Sequence, residues 1–280
     1  MAMYLGPLGG LREINPLHDF PMSSQRFGGV HESITGRRTV DVLGHRATVQ
    51  LRWVKRNQED MEFLEAIHHR LVPGPLRLVF PTEFRKNRLS RSAASAGYGS
   101  RDVSGVDATG GELDGPGDWQ PDGGIAGQGL TWTGFAAGNG VRFDRNEMVP
   151  VVPGESLSAS VWVKSSAADG LQLVVDHYDS AGAYVTGTAG TATTLVAGTW
   201  TRLQVTATPG AGIAGLVPGV YSPTLAAQGT VTIGGAQVEL GTAVTAWTRG
   251  GGALVVAADQ MNEQALWSPY TNPELTLLEL

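Results

Sequence analysis

The sequence predicts a mainly β protein, in which a discontinuous amino-terminal β domain with one helix is interrupted by an inserted β-sandwich. Three observations predict it. Between Pro153 and Trp247 four runs, 156–164, 171–178, 200–208 and 230–239, are rich in β-branched and aromatic residues, with turn signals such as AspSerAlaGly (179–182) and ProGlyAlaGly (209–212) and no helical pattern between them. Such spacing argues for an antiparallel sandwich. The composition also changes twice, after Leu89 to a Ser-, Gly- and Asp-rich segment reaching Gly129, and back again at ArgGlyGlyGly (249–252). Finally, residues 253–280 are too few to form a domain and too apolar to dangle. They are expected to complete the amino-terminal part, giving one domain of 1–90 with 253–280 and an inserted one of 91–252.

The elements follow in order. Residues 39–54 predict a hairpin around LeuGlyHis, its second strand alternating Ala47, Val49, Leu51 and Trp53 against Arg46, Thr48, Gln50 and Arg52. Asn57 offers a helix N-cap with Glu59 and Asp60 in the first turn, and Met61, Leu64, Ile67 or His68, and Leu71 recur at helical spacing until Pro73. LeuArgLeuValPhe (76–80) predicts a strand stopped by Pro81. In the insert, Leu157, Ala159, Val161 and Val163 alternate with Ser158, Ser160, Trp162 and Lys164, which predicts a half-buried strand. Two more strands are expected at 253–258 and 274–280.

The phrases ValProGlyGluSer (152–156), SerValTrpValLys (160–164), TyrAspSerAlaGly (178–182), ThrTrpThrArg (199–202) and GlyAlaGlnValGluLeuGlyThrAlaValThrAlaTrp (235–247) resemble a carbohydrate-binding-module-type jelly roll, over about 91–249. The architecture as a whole, with GlyProLeuArgLeuValPhePro (74–81) and the ending LeuThrLeuLeuGluLeu, resembles a distal-tail-type or minor tail protein of a long-tailed bacteriophage. That resemblance implies a structural virion protein of the tail tip or baseplate, made in the host cytoplasm. It further implies a homo-hexameric ring joining the tail tube and hub to a receptor-binding protein; the insert is then open to two readings, a binder of host cell-wall glycan or a spacer that decorates the tail tip. A non-catalytic glycan-binding module of a cell-surface or secreted system is the alternative, and a glycan depolymerase subunit is a third.

Composition narrows the chemistry. With no Cys there is neither a disulfide framework nor a thiolate metal site. No apolar run approaches the roughly 18 residues of a membrane span, and the first residues lack the basic and apolar regions of an export leader. Residues 1–91 carry 14 Lys+Arg against 9 Asp+Glu, whereas 92–280 carry 6 against 17. The basic excess is dispersed and no aromatic-plus-basic motif accompanies it, so neither nucleic acid nor membrane is expected as a partner.

No catalytic site is expected. GlyAlaGlyIleAlaGly (210–215) matches a dinucleotide fingerprint in spacing, but two prolines and a β pattern follow where a helix is required. It is expected to be a turn. HisGluSerIleThr (31–35) lacks the second His of a zincin, and there is no GxSxG elbow. Paired carboxylates remain open as a chemistry: Asp176 and Asp179 flank Tyr178, and Asp102, Asp107, Glu112, Asp114, Asp118 and Asp122 crowd the start of the insert. Such acids are usually solvated, or hold a structural calcium through oxygen. No other cofactor is expected. Trp119, Trp132, Tyr178 and Tyr184 are the candidates for a glycan-stacking platform, with Tyr221 beside them, whereas Trp162, Trp200 and Trp247 are expected to pack.

Overall fold

The computed structural model describes residues 2–17, 19–27, 30–32, 37–40, 44–95, 103–115, 129–152, 154–168, 170–223, 229–267 and 269–280. In chain order the elements are β1 (Tyr4–Gly6), β2 (Arg12–Glu13), β3 (Met22–Phe27), β4 (Val30–Glu32), β5 (Arg38–Val40), β6 (Gly44–Arg52), α1 (Gln58–His68), β7 (Leu76–Val79) and α2 (Arg91–Ala94). Next come β8 (Val106–Ala108), β9 (Glu112–Asp114), β10 (Leu130–Thr133), β11 (Gly140–Phe143), β12 (Val149–Pro150), β13 (Leu157–Ser165), β14 (Gly170–Tyr178) and β15 (Tyr184–Ala189). The last are β16 (Thr193–Thr194), β17 (Thr201–Ala207), β18 (Gly215–Tyr221), β19 (Val231–Leu240), β20 (Ala253–Trp267) and β21 (Tyr270–Glu279). The fold is mainly β. Contacts divide it into two compact units, one of Ala2–Pro7, Arg12–Leu78 and Leu254–Leu280, the other of Leu8–Leu11 and Val79–Ala253.

The first unit is an open sheet in the order β2-β1-β7-β20-β21-β6-β3. Its centre is apolar because β6 alternates: Ala47, Val49, Leu51 and Trp53 are buried, and Leu51 and Val49 lie opposite Leu275 and Leu277, also buried. Among the described residues β6 does not pair with β5. Both of its backbone edges are taken, by β3 and β21, and β5 pairs instead with β4. The hairpin expected at 39–54 is thus replaced by a strand with two partners. Likewise β20 and β21 run well beyond 253–258 and 274–280. Their distal residues are wet on both faces, so no apolar alternation announces them.

Asn57 caps α1, its side chain accepting from the Asp60 amide at 3.0 Å, and Met61, Leu64 and Ile67 are buried. Leu71 is not on the helix and is 76% exposed. Arg70 turns into the left-handed region (φ 57), with Arg70 N–H donating to Ile67 O and Leu71 N–H to Ala66 O, a Schellman ending that turns Leu71 outward.

The second unit is a sandwich of two antiparallel sheets, β17-β13-β19-β10-β9 and β15-β14-β18-β11-β8, with β12 paired to β18 and β16 to β14. Its core takes Leu157, Ala159, Val161 and Val163 from one sheet and Leu171, Leu173, Val175, Val141 and Phe143 from the other. Gly210–Gly215 is a turn into β18, with Gly212 at φ 82. Pro218 sits inside β18, where its missing donor is tolerated: β12 pairs at 215–216 and β11 at 219–221, leaving a gap between them. Ser158 and Ser160 are buried, because Ser158 donates to Ala243 O and Arg202 reaches both Ser160 and Thr245 O.

The division between the units falls at Leu78/Val79, whereas composition placed it at 90. Residues 87–90 are already bound into the sandwich. Asn87 is fully buried: its Nδ2 donates to Ala236 O and Thr248 O, and its Oδ1 accepts from Val238 and Leu89 amides. Arg88 makes a two-pronged pair with Glu155 at 2.6 and 3.0 Å. The departing chain runs alongside, Gly251 N–H donating to Leu89 O and Gly252 N–H to Asn87 O. A Cβ on Gly252 would stand 2.6 Å from Asn87 O, and one on Gly250 would collide with Ser90 O, so the crossing requires glycine. Replacing Asn87 by Ala leaves several buried groups unpaired and is expected to cost about 3 kcal/mol or more in urea unfolding. An unchanged unfolding midpoint would show that the amide is replaceable.

Candidate functional site

The candidate site is the outer face of the sheet β15-β14-β18-β11-β8. On β14 the odd positions Leu171, Leu173 and Val175 enter the core, so Gln172, Val174, Asp176 and Tyr178 point the other way. Register places Gln172 opposite Tyr221, Val174 opposite Gly219, Asp176 opposite Val217 and Tyr178 opposite Gly215. Arg142, between the core residues Val141 and Phe143, joins the same face from β11.

Glycines keep this face low. The Tyr221 ring lies against the bare backbone of Gly140 and Gly219, where a Cβ would strike it. Asp176 Oδ1 and the Tyr184 hydroxyl each come within 3.3 Å of where a Cβ on Gly187 would stand. Side chains therefore lie flat instead of standing up from the sheet.

At the centre Tyr221 donates to Asp176 Oδ2 at 2.9 Å. Burial, and then the Asp176 charge, push the Tyr221 hydroxyl well above its ordinary value, so it stays a donor. Beside it Arg142 is paired with Asp107 at 2.5 Å. Towards β15, Tyr178 carries Arg145 over its ring at 4.6 Å and the Tyr184 ring edge-on at 5.9 Å.

The four sequence candidates separate here. Tyr184 is 59% exposed and Tyr178 only 3%, so Tyr178 supports Tyr184 and is no platform itself. Trp132 is a correction: it is wholly buried in the sandwich core, stacked on Phe135 at 4.1 Å, and donates to Gly110 O. Trp119 lies outside the described residues, as do Asp102, Asp118 and Asp122. Trp247 is buried, while Trp162 and Trp200 are partly exposed with Arg202 and Lys164 over them. Residue-type reasoning missed Arg142, Arg145 and Gln172. The polar positions 172 and 176 among Leu171, Leu173 and Val175 were the available signal.

The carboxylates of this region have internal partners. Asp176 is held by Tyr221, Asp107 by Arg142, and Asp179 accepts from the amides of Ala181 and Ala183 in a turn. Among the described residues no three potential metal ligands converge.

Compared by sequence, the chain matches no protein-family model and no curated protein. Compared by structure, it is similar to the first xylan-binding family 22 carbohydrate-binding domain of Paenibacillus barcinonensis Xyn10C, at 21% identity and TM-score 0.41 over 53% of this chain and 93% of that one. It is also similar to a family 16 carbohydrate-binding module, at 16% identity and TM-score 0.37 over 51% and 96%. A third similarity is to the enzymatically active domain of tailspike protein 4 of bacteriophage CBA120, at 15% identity and TM-score 0.39 over 54% and 22%.

His177 is buried on the core side of β14 with its Nε2 at 3.1 Å from the Thr188 hydroxyl, and is expected to make stability depend on pH. Burial lowers its pKa below the ordinary 6.5, with Asp176 opposing. The unfolded chain then binds more protons, so this contribution is complete above pH 6.5 and lost as pH falls through the folded value. Unfolding free energy is expected to fall from pH 7 to 5, and less steeply in His177→Gln. Equal slopes for the two proteins would show that His177 does not cause the dependence.

Proposed function

We propose that this chain is a non-enzymatic glycan-binding component of a phage tail tip, with its saccharide site on the outer face of the second sandwich sheet. The observation that carries the reading is Tyr184: an exposed ring, fixed from behind by Tyr178, on a glycine-flattened face that also offers Gln172, Asp176 and Tyr221. Saccharides are held by an aromatic plane plus a few fixed polar groups, which is the inventory of this face. The internal pairing of Asp176 and Asp107 favours binding over hydrolysis, since a glycosidase needs two carboxyls free to meet the bond.

The tail-tip part of the reading rests on the architecture of the first unit. Its sheet ends in β2 and β3, and a head-to-tail contact between such edges in successive copies closes a ring. Several copies per ring multiply a weak site, by about 10² to 10⁴ in avidity.

Tyr184→Ala is expected to weaken oligosaccharide binding about tenfold in a glycan-array and calorimetric comparison without lowering the melting temperature, because the ring is largely exposed. Undiminished binding would reject the site. Native mass spectrometry of the chain alone and of purified particles is expected to give six copies. A monomer in both would reject the ring.

A further inference from the structure

Two arginines stand on this face, and only one is neutralised. Arg142 is paired with Asp107. Arg145 has no carboxylate partner among the described residues, and its contact is with the Tyr178 ring. Attraction between a cation and a ring engages the charge without consuming a donor, so the planar fork of N–H groups on Arg145 remains available. Tyr178 is shared: Arg145 lies over it and exposed Tyr184 meets it edge-on, so the two project from one support.

We propose that the face takes an acidic saccharide, a chain containing uronate residues, with a sugar ring against Tyr184 and a carboxylate on Arg145. This rests on the saccharide reading of the face and adds the substrate class. Planar carboxylate matches the guanidinium fork in a two-bond geometry that a hydroxyl cannot reproduce. Asp176 sets the orientation, because its charge repels a carboxylate placed over the centre of the face and directs it to the Arg145 side. Neutral chains keep the stacking and lose the ion pair.

The test is calorimetry of the whole chain with oligogalacturonate and with glucuronate-bearing xylan oligomers, each beside its carboxyl-reduced counterpart, at about 50 and about 300 mM salt. The acidic oligomer is expected to bind about tenfold more tightly than the reduced one, less so at high salt. Arg145→Gln should erase that preference and Arg145→Lys should retain part of it. Melting curves accompany each variant, and the Lys variant, which preserves charge and stem, decides the matter if the Gln variant does not fold. Equal affinity for acidic and reduced oligomers, or a preference surviving in Arg145→Gln, overturns the proposal while leaving the saccharide reading in place. Absence of binding by every oligomer, neutral and acidic, overturns both.

Discussion

One buried amide governs how the sandwich is set into the chain. Asn87 uses all four of its hydrogen-bonding positions, tying the inbound segment to β19 through Ala236 and Val238 and to the outbound segment through Thr248. A side chain of that kind in an apolar site is costly unless every group is satisfied, and here each one is. The glycines at 250 and 252 allow the two segments to approach closely enough for this arrangement. With both ends fixed by its own residues, the sandwich runs from Val79 to Ala253, and its compact unit takes in Leu8–Leu11 as well.

Glycine acts again on the face opposite the core, for a different purpose. At Gly140, Gly187 and Gly219 the absence of a Cβ lets aromatic and polar side chains lie along the sheet. Tyr221 is thereby brought to Asp176, and Tyr178 is left to support Tyr184. The proposed binding turns on which groups are already partnered: Arg142 with Asp107 is, whereas the ring of Tyr184 is exposed and Arg145, over the Tyr178 ring, has no carboxylate partner among the described residues.

The sequence was legible where one physical rule dominated. Alternation at Ala47 to Trp53 follows from a single buried face, the Asn57 cap from an orphaned backbone donor, and the strands at 157–165 and 231–240 from runs rich in β-branched residues, although both of those strands are buried on both faces. It was illegible where tertiary partners decided. Nothing local distinguishes a second strand of a hairpin from β6 between β3 and β21, and nothing local announces that Arg70 will adopt a left-handed conformation and eject Leu71. The candidate rings, by contrast, were separable from local pattern. Trp132 and Tyr184 look alike as residue types, but Leu130 and Trp132 alternate with Thr131 and Thr133, a pattern of burial, whereas Tyr184 follows the turn at Gly182.

The central claim is that ligand meets one face of one sheet. Nuclear magnetic resonance titration of the isotope-labelled chain with the oligosaccharide panel tests it most directly. Shifts are predicted at Gln172, Tyr184, Gly187 and Tyr221, with none at Trp162, Trp200 or Arg202 on the opposite sheet. Shifts centred on that opposite sheet, or at Trp267 and Tyr270 on the β20–β21 hairpin, would contradict the account.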